Sequence, residues 1–202
     1  MINNENIPDE NDWEAWGPDE LSERLQQVVR LWCVVGGWAL DLWHGQKTSE
    51  HEDIEFTVLR EDFSEFRAAL SGIVFYVVED GTLELLHEDI QPDESVNQIW
   101  CYEPVSGRWK ADMMLESAGE QNWIYKRDPA ISRPRSEMVL LTEKGIPYLN
   151  PSAVLLFKAK YCRPKDLLDF SRAEPKLSAS QKHWLKGCLM KLHPGHAWAE
   201  TL

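Results

Sequence analysis

CVVGGWALDLWHGQKTSEHEDIEF, residues 33–56, sets a glycine pair at the end of a short apolar run and two alternating carboxylates at the head of the next. Residues 33–35 read as a buried strand, Gly36 and Gly37 as the turn out of it, and 38–43 as a short helix. The loop 45–52 then leads to a second strand over 53–59. Side chains alternate along a strand, so Asp53 and Glu55 share one face while Ile54, Phe56 and Val58 take the other. Two like charges at that spacing repel, and a divalent cation beside them removes the repulsion; all-oxygen ligands suit Mg2+. Taken alone, an acidic strand face in water is the commoner meaning of such a pair.

A second stretch changes the balance. In RWKADMMLE, residues 108–116, alternation puts Trp109, Ala111, Met113 and Leu115 on an apolar face and Arg108, Lys110, Asp112, Met114 and Glu116 on the other. If this strand lies beside 53–59, Asp112 joins Asp53 and Glu55. Three carboxylates can hold two Mg2+ ions for in-line phosphoryl or nucleotidyl transfer. Glu116 is the alternative third group, and Asp112 on a solvated face is the bland one. Gly36 and Gly37, lacking Cβ, let backbone N–H groups approach a phosphate at the positive end of the following helix.

The 202 residues, 43% hydrophobic with ten tryptophans, are enough for a sizeable core, and no apolar run is long enough to cross a bilayer. The net charge of −13 disfavours a nucleic-acid partner and suits a cationic one. Cys33, Cys101, Cys162 and Cys188 lie far apart without CxxC spacing, which predicts reduced, structural thiols. The opening MINNENIPDENDWEAWGPDE is acidic where a targeting peptide would be basic, so a soluble, cytoplasmic protein is expected, with no membrane partner.

Residues 1–18 read as an acidic arm whose Trp13 and Trp16 dock on the body. Leu21, Leu25, Val28, Val29 and Trp32 recur at helical spacing and predict a first helix ending near Trp32. A helix over 61–70 is followed by strands in IVFYVV, TLELL, NQIWCY and RWKADMMLE, with turns at Gly72, Asp80-Gly81 and Gly107. Asn150 before Pro151 marks a helix start, Pro164 opens another helix, and 177–192 offers a third. The expected organisation is therefore an α+β chain: an arm (1–18), a mixed-sheet domain (19–148) and a helical C-terminal domain (149–202). His51 precedes the carboxylate pair and reads as a local hydrogen-bond partner. His193 and His196 are separated by Pro194-Gly195, which spoils helical metal-ligand spacing. Trp100, Trp109, Trp123 and Trp184 read as core rather than as a stacking platform.

Glycine turn, D-x-E strand and a later carboxylate strand together resemble the nucleotidyltransferase superfamily that includes DNA polymerase beta. The resemblance is strongest to its aminoglycoside 2''-adenylyltransferase-like and lincosamide nucleotidyltransferase-like group. It is carried by VVGGWALDLWHGQKTSEHEDIEFTVLRED, KADMMLE and LNPSAVLLFKAKYCRPKDLLDF, and touches most of residues 34–170. It implies a mixed-sheet nucleotidyltransferase core and an enzyme moving a nucleoside monophosphate, AMP from ATP, to a hydroxyl of a small, cationic acceptor such as an aminoglycoside, with release of pyrophosphate. Gly36 and Gly37 would cradle phosphates, and Asp53 and Glu55 would hold Mg2+, two ions in all. Asp112 would be the third ligand or the base for the acceptor hydroxyl. Lys158 is the candidate for the triphosphate, with the solvated side of a helix as its plain alternative. Two departures stand out: Ser49 and Glu50 occupy the segment where the family often has arginine, and Ser152 and Ala153 follow Pro151 where it tends to have glutamate. Transfer to tRNA or to a protein, and a non-catalytic nucleotide- or partner-binding module, are the alternatives. The sequence leaves the acceptor, the base preference and the oligomeric state open.

Overall fold

Hydrophobic alternation and turn residues divide the chain into short elements, which the computed structural model describes for residues 7–117 and 119–202. Residues 1–6 of the expected arm lie outside the described residues. In chain order the elements are α1 (Pro18–Arg24), β1 (Trp32–Val34), α2 (Gly36–His44), β2 (Glu55–Leu59), α3 (Phe63–Ala69), β3 (Val74–Glu79), β4 (Thr82–Leu86), β5 (Gln98–Glu103) and β6 (Arg108–Glu116). They continue with β7 (Asn122–Ile124), β8 (Ser132–Pro134), α4 (Arg135–Met138), β9 (Val139–Leu141), β10 (Pro147–Leu149), α5 (Pro151–Ala159), α6 (Pro164–Ala173), α7 (Ala179–Leu192) and α8 (Trp198–Thr201). The chain forms two compact units: one from residues up to Val34 with Glu50–Glu120, the other from Val35–Ser49 with Gln121–Leu202.

In the first unit the strands run in the order β4, β3, β5, β6, β2, β1. The β2–β6 pair is parallel and the other pairs are antiparallel, the mixed sheet expected. Asp80 and Gly81, both at positive φ, make the two-residue turn that closes the β3–β4 hairpin, where only residues tolerant of left-handed backbone fit. Phe63 and Phe66 of α3 are buried, as are Ile54, Phe56, Ile99, Ala111 and Met113, whereas Trp109, past the register shift at Cys101/Tyr102, packs with Trp13, Tyr76, Trp100 and Tyr102.

The arm does dock. Trp109 N–H donates to Asp12 O, and the N–H groups of Glu14 and Trp16 donate to the carbonyls of Trp109 and Lys110. The arm thus takes the edge of β6 over residues 109–110, before β2 begins to pair at Asp112. Trp16 is buried, and Trp13 sits edge-on against Trp100 with ring centres 5.0 Å apart.

Several boundaries differ from expectation, two of them in ways that bear on the site and its surroundings. The first helix ends at Arg24, because Leu21 and Leu25 complete its buried face while Val29 is 94% exposed and the β-branched pair Val28-Val29 leads out toward β1. β2 begins at Glu55 rather than Asp53, so Asp53 stands in extended chain just ahead of the strand.

The second unit centres on α5, whose residues Pro151–Leu156 are all buried, packed against α2, α6 and α7. Asn150 starts it as anticipated: its Oδ1 accepts from Ser152 N–H and Oγ and from Gln181 Nε2, while its Nδ2 donates to Glu137 O. α6 and α7 also fall where the prolines and apolar spacing placed them. None of the four cysteines is joined in a disulfide.

Candidate active site

Register builds the centre of the first unit. On the parallel pair Glu55 lies directly opposite Asp112, locked by the Asp112 N–H donating to Ile54 O at 2.9 Å. Adjacent strands are about 4.8 Å apart, so two carboxylates on one face at paired positions are close neighbours. Alternation holds around them: Ile54, Phe56 and Val58 are buried in the core, Glu55 is half-buried and Asp53 exposed. Of the expected trio, Glu55 and Asp112 are therefore brought to one sheet face by β2 and β6, with Asp53 two residues ahead of Glu55 in extended chain.

Asp112 is not on a solvated face. It is 4% exposed, beneath Trp100 of β5, which pairs with it across the antiparallel ladder. Its Oδ2 accepts a 2.6 Å hydrogen bond from Gln98 Nε2, and its Oδ1 is buried with no hydrogen-bond partner. The indole N–H of Trp100 is near enough to favour the charged carboxylate weakly, but it does not reach hydrogen-bonding geometry with either oxygen. Burial first, then the Glu55 carboxylate, and more weakly Asp53, push the Asp112 acid well above the usual carboxylate range; Gln98 pulls the other way. Lys110, also buried, brings no relief, because its Nζ is engaged by Glu14 at 2.6 Å and Glu103 at 3.7 Å.

These carboxylates suit a divalent cation by donor type and charge, and the buried Asp112 Oδ1 is an acceptor that lacks only a partner. Among the described residues no three His, Cys, Asp or Glu side chains are grouped closely enough to enclose an ion as they stand. The backbone has aligned the donors without closing the side chains around a centre.

Gly36, Gly37 and Lys158 belong to the second unit. Gly36, at φ +63°, begins α2, so the glycines form the first turn of the helix rather than a loop before it. That helix has no side-chain cap and no acidic residue in its first turn, which leaves its positive end uncompensated by its own side chains. Lys158 Nζ is held by Asp169 at 2.8 Å and Asp166 at 3.3 Å. Asp166 in turn accepts from Arg163 N and Nε. The ammonium thus serves a buried ion-pair network on α5 and α6.

Sequence reasoning missed Gln98. Alternation along NQIWCY sets Gln98 and Trp100 on one face, a usable signal, but which strand that face meets depends on long-range register.

Residues 19–95 match the aminoglycoside-2''-adenylyltransferase family model, a stretch that includes Gly36, Gly37, Asp53 and Glu55 but stops before Asp112. Among solved structures the chain is similar to ANT(2'')-Ia in complex with adenylyl-2''-tobramycin, at 14% identity and TM-score 0.57, covering 86% of this chain and 95% of that one. It is likewise similar to the lincomycin-bound lincosamide antibiotic adenylyltransferase LnuA, at 14% identity and TM-score 0.57, covering 81% and 98%. The solution structure of ANT(2'')-Ia matches at 14% identity and TM-score 0.53, covering 86% and 89%. At such identities these structures show a shared fold. No curated protein sequence matches the chain. The family match and the fold agree with the aminoglycoside and lincosamide nucleotidyltransferase group to which the sequence pointed.

Proposed function

From a chain whose residues 19–95 carry the aminoglycoside-2''-adenylyltransferase pattern on a nucleotidyltransferase fold, we propose a metal-dependent transfer of AMP from ATP to a hydroxyl of a small cationic acceptor of the antibiotic type. The observation that carries the reading is the pairing of Glu55 with a buried Asp112 whose Oδ1 has no partner, beside Asp53. Asp53, Glu55 and Asp112 would hold Mg2+, which when bound supplies charge neutralisation on the triphosphate and on the leaving oxygen. Gly36 and Gly37, at the start of α2, keep the phosphate-binding role that the resemblance implies. Lys158 is better read as the centre of its ion-pair network than as a triphosphate ligand.

In the reaction the acceptor oxygen attacks the α-phosphorus, a new P–O bond forms, and the bond to pyrophosphate breaks in line with it. Asp112, paired across the strands with Glu55, would as the alternative to its ligand role be the base that takes the hydroxyl proton. A net charge of −13 favours approach of a polycationic acceptor.

The test is acceptor-dependent pyrophosphate release across panels of aminoglycosides and lincosamides, with ATP and then GTP as donor. Release is expected with at least one acceptor and should fall by 10³-fold or more, an order-of-magnitude expectation, in a folded Asp53→Asn variant. Full turnover in that variant would remove Asp53 from the chemistry. Release that needs tRNA or a protein in place of the small molecules would redirect the acceptor assignment.

A further inference from the structure

Resting on that reading, we propose that Gln98 is the positioning residue of the carboxylate centre: its side-chain amide anchors one oxygen of Asp112 so that the other is presented to the cation held with Glu55. Gln98 stands opposite Met114 on the β5–β6 ladder, and Asp112 is its diagonal neighbour on the same face, within reach of a long side chain. Its Nε2 meets Oδ2 at 2.6 Å, the only hydrogen bond to the Asp112 carboxylate among the described residues, while Oδ1 has none. With a cation bound, Asp112 would be ionised and could only accept, so the amide would keep its nitrogen toward Asp112 and fix the rotation of the carboxylate.

The chemistry of the donor matters as much as its place. An amide orients Asp112 without neutralising it, whereas an ammonium or guanidinium there would compete with a metal ion for the same charge. The cations nearest along β6 are kept off: Lys110 is committed to Glu14 and Glu103, and Arg108 to Asp12. Hydrogen-bond partners that orient metal ligands typically contribute about 10–100-fold in metal affinity.

The experiment is Mn2+ titration of the full chain with ATP, read against the same titration of ATP alone, followed by the loss of the free-ion electron paramagnetic resonance signal, for wild type, Gln98→Met, Gln98→Leu and Asp112→Asn. Gln98→Met keeps the length of the side chain and removes the donor; Gln98→Leu is the second apolar variant should the first fail to fold. The expected result is a Mn2+ affinity about 10–100-fold weaker in the Gln98 variants, with turnover recovered by raising the metal concentration. A residue that only supported the fold would not be rescued by metal. Wild-type affinity in both Gln98 variants, alongside loss in Asp112→Asn, would overturn the role of Gln98 and leave the metal centre standing. No Mn2+ binding by wild type would overturn the metal-centre reading and this inference with it.

Discussion

A buried carboxylate with one satisfied oxygen and one empty-handed oxygen is a cost that a folded chain carries for a purpose. Asp112 binds its proton more tightly in the folded than in the unfolded chain, so its contribution to stability is fully present below about pH 4, the unfolded carboxylate value, and is lost as pH rises through its folded value. Asp112→Asn removes the charge and keeps an acceptor for Gln98. In EDTA at pH 8 the variant should be more stable than wild type by about 1–3 kcal/mol, with the gain vanishing near pH 4. Denaturant midpoints at the two pH values check this, and a variant less stable at pH 8 would contradict it. That Asp53 and Glu55 share one strand face, and that Asp112 stands on the polar side of its own strand, were legible from two-residue alternation. The burial of Asp112 and the partnership with Gln98 were not, because both depend on how β5, β6 and β2 line up across more than fifty residues of chain.

At the scale of elements, local chemistry succeeded where its signal was self-contained. Asn150-Pro151, Pro164 and the Asp80-Gly81 turn each carry their own stop or start instruction, and the structure obeys them. The first helix overran in the sequence reading because Val28 and Val29 continued a periodic pattern that, in the fold, leads into solvent. The short strands β7 to β10 lay in a stretch with no clear alternation, three residues being too few to display a period. The α5–α6 junction offers a test of the network assigned to Lys158. Asp166 is fully buried and ties the start of α6, through Arg163, to Lys158. Asp166→Ala removes a cap and two charged hydrogen-bond partners while Asp169 still holds Lys158, and should cost about 2–3 kcal/mol. A change below about 0.5 kcal/mol, the level of an ordinary surface substitution, would show that the network does not support the unit.

Across the whole molecule, the mixed sheet, the helical C-terminal segments and the carboxylate strand pair agree with one another and with the family match over residues 19–95. The general fold was readable because glycine turn, D-x-E strand and later carboxylate strand keep their order along the chain. The interleaving of the two units was not: residues 35–49 leave the first unit at Val34 and return at Glu50, three residues before Asp53, with no composition change to announce it. Among the described residues no helix is long and apolar enough to cross a membrane. Fold alone does not fix function, so the decisive evidence must come from the carboxylates themselves. The most direct measurement is calorimetric titration of Mg2+-ATP into wild type and into Asp53→Asn, each repeated in EDTA. The account predicts binding that requires Mg2+ and is lost in the variant. Binding of equal strength in the variant and in EDTA, or no binding to well-folded wild type, would contradict it.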